Sequence, residues 1–208
     1  LGGTGPALLP ENLERLRKPT AADTIAKGRL ATQMPGFGDR LSKEEIDALV
    51  AYVYAPPGTR PVWGEAQINA TRIVHHAAGT LPDKPQFAAD PMNLFVVVET
   101  GDHHASILDG DKLERIARFP TRYALHGGPK FTPDGRYVFF ASRDGWVTKY
   151  DLWNLKTVAE VRAGINTRNI AVSGDGRWVI AGNYLPHTLV VLDARDLSLV
   201  KLVPVADK

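Results

Sequence analysis

Histidine and methionine are the side chains in this sequence that could bind a metal ion. The 208 residues include six histidines and two methionines but no cysteine, which excludes disulfides, thiolate metal sites and cysteine nucleophiles. The pair His103-His104 lies in a predicted hairpin turn, where histidines more often face solvent than bind a metal, and the pair His75-His76 is interpreted in the same way. These pairs alone therefore do not predict a metal site.

Met34 lies in residues 31–38, a segment whose glycines and prolines are incompatible with regular structure. Helices are predicted on both sides, over residues 21–30 and after Ser42, which forms a capping box with Glu45 three residues later. A methionine here could be an ordinary apolar core residue. Its thioether could instead bind a haem iron, because a Met-Pro-Gly loop between helices can curl over a haem face.

The composition is that of a folded globular protein. Hydrophobic residues make up 44% of the chain and charged residues 23%, which excludes disordered and collagen-like classes. The 25 Lys and Arg against 23 Asp and Glu leave no basic excess for binding nucleic acid. No apolar run approaches the roughly 18 residues of a membrane-spanning helix, so neither a nucleic-acid partner nor a membrane span is predicted.

The C-terminal half of the chain repeats itself. Three apolar strands end in an aspartate at an equal spacing of 42 residues, at Asp109, Asp151 and Asp193. A second marker, Asp-Gly-Arg followed by an aromatic residue and a strand, begins at Asp134 and again 41 residues later at Asp175. A period of about 40–45 residues with short strands and Gly/Asp turns is typical of β-propeller blades. The repeat therefore predicts three four-stranded blades.

These patterns divide the chain into three parts: a helical region over residues 1–55, a proline-rich linker over 56–90, and three blades over 91–208. Propellers close with about 4–8 blades, because each blade buries its faces against its neighbours. We therefore expect a partial propeller. The first residues contain neither an initiator methionine nor a signal-like segment, and the chain is expected to be a fragment of a longer protein.

Residues 1–55 resemble the C-terminal two-thirds of a small class I cytochrome c domain. The resemblance is carried by residues 2–8, by the loop around Met34 and by the helix over residues 41–54. It implies that Met34 is an axial ligand of a haem c iron. Such domains attach their haem through Cys-x-x-Cys-His, which is absent from this chain, so the resemblance implies that the motif precedes Leu1.

The chain from Trp63 onwards resembles the haem d1-binding propeller of the cytochrome cd1 nitrite reductase family. The matching motifs lie at Tyr123-Ala124-Leu125-His126 and at residues 135–137, 143–145, 151–153, 167–168 and 180–186. The two resemblances together imply a mainly β fold, namely a partial propeller of the eight-bladed type preceded by the remnant of an α-helical class I cytochrome c domain.

The resemblance implies cofactor-binding roles for five residues. His126 matches the proximal axial ligand of the haem d1 iron, a role that a neutral imidazole nitrogen suits. Arg143 and Arg168 match positions that bind carboxylates of the macrocycle, where a guanidinium can make paired charge-assisted hydrogen bonds. Tyr184 matches a cofactor-lining position, and Arg118 is assigned on its spacing before His126 alone.

Four of these residues also have an ordinary structural explanation. His126 could bond to backbone at the start of a blade, the two matched arginines could be solvated surface charges, and Tyr184 could be a core aromatic residue. The catalytic residues stay unassigned.

One departure from the family pattern bears on function. Residues 98–101, Val-Glu-Thr-Gly, stand where the nitrite reductases place a cofactor-facing arginine. Residues 10–13 and 33–37 resemble instead the dehydrogenase branch of the family, which oxidises a propionate of the haem d1 precursor to an acrylate and passes electrons to haem c. The resemblance thus implies a periplasmic haem-dependent oxidoreductase of haem d1 biosynthesis.

The implied ligands are haem c and either haem d1 or dihydro-haem d1, and the implied partners are periplasmic electron-transfer or d1-delivery proteins. A fragment of this length is expected to be inactive by itself. Two alternatives stay open. The first is reduction of nitrite to nitric oxide at a bound haem d1, and the second is a propeller that serves only as a protein-interaction platform.

Overall fold

The computed structural model describes residues 2–206, and its N-terminal part is helical. Three helices precede the sheets: α1 (Pro10–Leu13), α2 (Lys18–Lys27) and α3 (Lys43–Tyr54). α2 begins three residues before the predicted start and is followed by the capping residue Gly28, whose φ of 72° favours glycine. We refer to residues 2–55 as the helical region.

The predicted capping box determines where α3 begins. The Ser42 hydroxyl accepts a hydrogen bond from the Glu45 amide, and the Glu45 carboxylate accepts one from the Ser42 amide. At the other end of α3, the Tyr54 hydroxyl donates to the Leu16 carbonyl. This bond ties α3 to the segment that joins α1 and α2.

The rest of the described chain is mainly β. One short helix, α4 (Glu65–Thr71), precedes the strands. The strands are β1 (Ile73–Val74), β2 (Leu94–Glu99), β3 (His104–Asp109), β4 (Arg115–Pro120), β5 (Lys130–Phe131), β6 (Tyr137–Ala141), β7 (Trp146–Asp151), β8 (Lys156–Arg162), β9 (Asn166–Val172), β10 (Trp178–Leu185), β11 (Thr188–Asp193) and β12 (Leu199–Pro204).

The strands form three antiparallel sheets. The first has the order β2-β3-β4, the second β1-β8-β7-β6-β5, and the third β12-β11-β10-β9. One hydrophobic cluster lies between the first and second sheets and another between the second and third. Consecutive sheets therefore pack face to face, as propeller blades do.

The predicted repeat has a structural counterpart in each sheet. Asp109, Asp151 and Asp193 are the last residues of β3, β7 and β11. In each case a carboxylate oxygen accepts a hydrogen bond from a backbone amide two or three residues further on. The residue four positions after each aspartate has a left-handed backbone conformation, with φ between 54° and 59°: Leu113, Leu155 and Leu197.

The predicted four strands are present in the second and third sheets, as β5 to β8 and β9 to β12, but not in the first. Within the described residues the first sheet has three strands, because residues 75–93 contain no strand. The second sheet has a fifth strand, β1, which pairs with the outer edge of β8. The regular spacing of the repeat markers therefore does not predict the number of strands in each sheet, which differs at the sheet edges.

The segment predicted to be a linker, residues 56–90, packs against the sheets. It contains α4, whose Ile68 is fully buried in the cluster between the second and third sheets. The Trp63 indole donates to the Arg162 carbonyl, and the Arg72 guanidinium donates to the Asp196 carbonyl. A seven-residue helix with one buried side chain has no detectable hydrophobic period, which is why the sequence pattern did not predict it.

Among residues 2–206, every helix is too short or too polar to cross a membrane.

Candidate functional site

The predicted site residues lie at the end of the sheets where β6 turns into β7. The His126 amide donates to the Ala141 carbonyl, and the Arg143 amide donates to the Ala124 carbonyl. The bridge between Leu125 and Ser142 lies between these two bonds. Residues 124–126 and 141–143 therefore run side by side, which brings His126 and Arg143 to the same end of the second sheet.

The imidazole of His126 is oriented by the third sheet. Its Nδ1 lies 2.9 Å from the Arg168 carbonyl oxygen. A carbonyl can only accept a hydrogen bond, so in the neutral imidazole Nδ1 carries the proton and Nε2 has the lone pair. Metal-binding histidines typically donate their second ring nitrogen to a carbonyl or carboxylate in this way. The backbone contact and the ligand role are therefore compatible.

Gly127 permits this close approach of the second and third sheets. Its φ is 81°, and a Cβ atom there would lie only 2.3 Å from the Asn169 side-chain oxygen and 3.4 Å from the Arg168 carbonyl oxygen. A residue with a side chain would force the two segments apart. Glycine at this position therefore helps to hold His126 within hydrogen-bond distance of Arg168.

A cavity of about 270 Å³ opens beside His126. It lies between the end of β2 and the segment that precedes β5, and it extends to the end of β6. The wall is mostly apolar, with the histidine as its titratable group, and consists of Val98, Thr100, residues 125–129, Phe140 and Ala141.

Arg143 lies at this end, within reach of the charges of two further arginines, and none of the three has a carboxylate partner within residues 2–206. Arg143 is half-buried, and its Nε is buried with no hydrogen-bond partner. Burial lowers the pKa of Arg143, and the positive charges of Arg168 and Arg29 lower it further. Within residues 2–206, none of the three takes part in an ion pair. Such a group of cations is suited to binding an anion with several carboxylates.

Tyr184 lies at the contact between the third sheet and the helical region. It is half-buried near the end of β10, and its hydroxyl lies 3.0 Å from a carboxylate oxygen of Glu14. Its ring centroid is 5.5 Å from that of His187. The side chain is therefore not part of either hydrophobic core, and it lines the same end of the sheets as Arg143.

Arg118, in contrast, is not brought into the arginine group. It donates hydrogen bonds to the carboxylates of Glu99 and Asp102. The hydrogen bond to Glu99 raises the pKa of Arg118 most, the hydrogen bond to Asp102 and the charges of both carboxylates raise it further, and burial opposes them. Because two carboxylates already neutralise this guanidinium, the geometry does not support Arg118 as an anchor for a carboxylate ligand.

Met34 lies in the loop between α2 and α3, which folds back onto α2. The Phe37 and Gly38 amides donate to the Ile25 and Ala26 carbonyls. The Met34 side chain is only partly buried and belongs to neither hydrophobic cluster. The structure thus does not support an ordinary core role, and ligation of a haem iron stays a prediction.

The histidine pair at positions 103 and 104 differs from its prediction. His103 was expected to face solvent, yet its Nε2 is buried with no hydrogen-bond partner. Its ring packs edge-on against Tyr123 at a centroid distance of 4.8 Å. His103 has a left-handed backbone conformation, with φ 61°.

Arg29 is a further residue of interest that the sequence alone does not single out. No local pattern distinguishes it from the other arginines, because its charge acts on Arg143 only through the docking of the helical region on the sheets. Direct contacts support that docking: the Asn166 amide donates to the Asn12 side-chain oxygen at 2.7 Å, and Tyr184 donates to Glu14. Only the tertiary structure brings these residues together.

Comparison with known proteins agrees with these observations. Residues 89–208 match the family model of the cytochrome D1 heme domain, and residues 1–53 match that of cytochrome C oxidase, cbb3-type, subunit III. The second match supports the predicted cytochrome c remnant only in part.

Two curated relatives are similar in sequence. The chain is 65% identical over 207 residues to dihydro-heme d1 dehydrogenase of Pseudomonas aeruginosa, which covers 100% of this chain and 42% of the relative. It is 27% identical over 176 residues to nitrite reductase of Stutzerimonas stutzeri, which covers 82% of this chain and 31% of that relative. The chain thus spans less than half the length of these relatives.

A solved structure of dihydro-heme d1 dehydrogenase NirN in complex with DHE is similar in fold, with a TM-score of 0.88 and 64% sequence identity. The match covers 99% of this chain and 44% of that chain. The predicted resemblance is therefore confirmed, and so is the mainly β fold with three antiparallel sheets. Because the family model matches more than half of its residues, the chain belongs to the cytochrome D1 heme domain family.

Proposed function

We propose that this chain acts in haem d1 biosynthesis by binding dihydro-haem d1 while a propionate of that macrocycle is oxidised to an acrylate. The 65% identity to a dihydro-heme d1 dehydrogenase supports this substrate. The observation that carries the proposal is the hydrogen bond from His126 Nδ1 to the Arg168 carbonyl, because it leaves Nε2 able to bind an iron.

The residues at the site fit this macrocycle. His126 would bind the iron through Nε2, while Arg143 and Arg168 would bind carboxylates at the periphery. The buried Nε of Arg143 lacks an acceptor, and a carboxylate would supply one. Tyr184 would line the site from the side of the helical region.

The oxidation removes one hydrogen from each of two adjacent carbon atoms. In total two protons and two electrons leave, and the single carbon–carbon bond of the propionate becomes the double bond of the acrylate. A haem c in the helical region would accept these two electrons one at a time and pass each to an electron-transfer protein before taking the next, with Met34 as a residue that would hold its iron. This chain contains no cysteine and cannot attach that haem covalently by itself. The group that accepts the protons is unassigned.

Two other functions compete with this proposal. Nitrite reduction at haem d1 would use the same proximal histidine, but the nitrite reductase relative is only 27% identical, and Glu99 lies where that resemblance calls for an arginine. An interaction platform has no need of the oriented His126 beside three unpaired arginines. The dehydrogenase function therefore accounts for more of the site.

The proposed setting is the periplasm, as the resemblance implies. The proposed partners are electron-transfer or d1-delivery proteins of that compartment. The near balance of basic and acidic residues offers no support for a nucleic-acid partner.

The experiment is a spectroscopic titration of the purified chain with dihydro-haem d1. We expect His126→Ala to change the absorption spectrum of the bound macrocycle, because the axial donor sets the electronic state of the iron. The control is His76→Ala, since His76 is only partly buried and is not among the residues that line the cavity beside His126. An unchanged spectrum and affinity in His126→Ala would refute the ligand role and favour the interaction platform.

A further inference from the structure

Arg29 connects the Met34 loop to the site on the sheets. It follows the Gly28 cap of α2, and its amide donates to the Met34 carbonyl at 3.1 Å. The same loop reaches the first sheet, because the Ala31 carbonyl oxygen lies 3.6 Å from where a Cβ of Gly101 would be. Gly101 follows Thr100, which lines the cavity beside His126. The loop that carries Arg29 therefore borders the proposed macrocycle site.

The charge of Arg29 is not neutralised in the described chain. Its side chain is exposed, as is that of Arg168, and the third member of the group, Arg143, has a buried Nε with no acceptor. Other arginines contrast with these three, because a carboxylate lies within 4.0 Å of each: Arg60, Arg72, Arg118, Arg122, Arg136 and Arg195.

Like charges held close together without counter-charges destabilise a folded chain. A group of three arginines without carboxylate partners therefore requires a compensating interaction. A bound ligand with several carboxylates would offset the repulsion between the arginines. The three arginines come from both parts of the chain. Arg29 belongs to the helical region, whereas Arg143 and Arg168 belong to the second and third sheets.

We propose that Arg29, Arg143 and Arg168 form a single carboxylate-binding site that spans the helical region and the propeller. This inference rests on the proposed function and names a further residue of the same site. Binding of a macrocycle with several carboxylates would then fasten the Met34 loop to the sheets. The part of the chain proposed to carry the electron acceptor would thereby be held against the substrate.

The test compares Arg29→Gln with Arg40→Gln in titrations of the purified chain with haem d1. Arg40 is a matched control because it is an exposed arginine of the same loop and is not among the charges that act on Arg143. We expect the dissociation constant to rise about tenfold in Arg29→Gln, as for a lost hydrogen bond to a charged group. We expect Arg40→Gln to bind as the unmodified chain does.

A second measurement needs no ligand. The midpoint temperature of unfolding of the free chain should stay the same or rise in Arg29→Gln, because the substitution removes a repulsive charge. Weaker binding together with unchanged or higher stability supports a binding role. A lower midpoint temperature would show that Arg29 is structural and would overturn the proposal.

The titrations also separate this inference from the proposed function. If Arg168→Gln and His126→Ala weaken binding while Arg29→Gln does not, the site does not span the two parts and only the inference fails. If none of the three variants alters binding or spectrum, the proposed function itself fails.

Discussion

His126 is held by its neighbours in an orientation that suits a metal ligand. Its Nδ1 donates to the Arg168 carbonyl, and the two glycines that follow it both have positive φ, 81° at Gly127 and 69° at Gly128. Only Gly127 is also closely packed, since a Cβ there would collide with Asn169, whereas a Cβ at Gly128 would come no closer than 3.8 Å to another residue. Substitutions at both glycines would strain the backbone, but only a substitution at Gly127 would also disturb packing.

We predict that Gly127→Ala weakens macrocycle binding and that Gly128→Ala does not. Both substitutions introduce a side chain at positive φ, at a cost of about 1 kcal/mol. Gly127→Ala should destabilise the chain by a further 1–3 kcal/mol or so, because it pushes the His126 segment away from Arg168. Titration with haem d1 and denaturant unfolding measure the two effects. Equal losses of affinity in both variants would contradict this explanation.

The repeated aspartates show that equivalent elements have different environments. Asp151 is fully buried and accepts hydrogen bonds from Arg136, at 3.1 Å, and from the Asn154 amide, also at 3.1 Å. Asp193 has the same place in the third sheet, but its arginine partner, Arg195, is 82% exposed. The side chain of Arg136 is only 13% exposed. The second blade thus depends on a buried ion pair and the third on a solvated one.

Asp151→Ala is expected to lower the free energy of unfolding by about 3 kcal/mol or more, because it leaves the largely buried Arg136 without its buried partner. Asp193→Ala should cost only about 1 kcal/mol, since water screens Arg195. Urea unfolding of both variants measures the difference. Losses of equal size would show that position in the repeat, rather than burial, sets the energy.

Lys149 connects the second and third blades. Its burial should make the free energy of unfolding vary with pH in the alkaline range. Its Nζ donates to the Arg195 carbonyl at 3.0 Å and lies 3.7 Å from the ring centroid of Tyr137. Burial lowers the pKa of Lys149 to about 8, below its ordinary value of 10.5. Between these two pH values the unfolded chain binds more protons than the folded chain, so stability should rise with pH.

The corresponding prediction is that Lys149→Met removes this rise. The free energy of unfolding would be measured at intervals from pH 7 to pH 10, and the unmodified chain should gain stability relative to the variant as pH increases. A constant difference between the two over this window would mean that Lys149 is not responsible for the pH dependence.

On the scale of the whole molecule, the helical region docks on the end of the sheets that carries the site. Polar contacts hold it there, between Asn12 and Asn166 and between Glu14 and Tyr184. The docked region includes the Met34 loop, which lies on the same side as Arg143. This arrangement would place an electron acceptor of the helical region next to a macrocycle on the propeller.

Tyr184→Phe should loosen this docking, because it removes the hydrogen bond to Glu14, worth about 1 kcal/mol. The Asn12 amide, which donates to the Leu9 carbonyl in α1, should then exchange with solvent roughly fivefold faster. Tyr52→Phe is the control, since Tyr52 is 79% exposed on α3. Unchanged exchange in Tyr184→Phe would show that other contacts hold the helical region in place.

Local and repeated patterns were predictable from the sequence. The capping box of α3 involves residues three apart, so neighbouring residues determine it. The aspartate markers occur once in each repeat, so their regular spacing reveals them. The edges of the sheets were less predictable. β1 pairs with β8 across more than eighty residues of chain, and the first sheet lacks a fourth strand within the described residues, because edge pairing depends on distant segments rather than on local pattern.

The features of the site were likewise predictable only in part. The motif around His126 and the matched arginines could be identified from the residues themselves, since each is part of a short recognisable segment. Three features required the tertiary structure: the hydrogen bond that orients the His126 ring, the pairing of Arg118 with Glu99 and Asp102, and the effect of the Arg29 charge on Arg143. The physical reason is that charge and hydrogen bonding act through space. Residues far apart in the chain therefore decide whether a given side chain is already neutralised or remains available to a ligand.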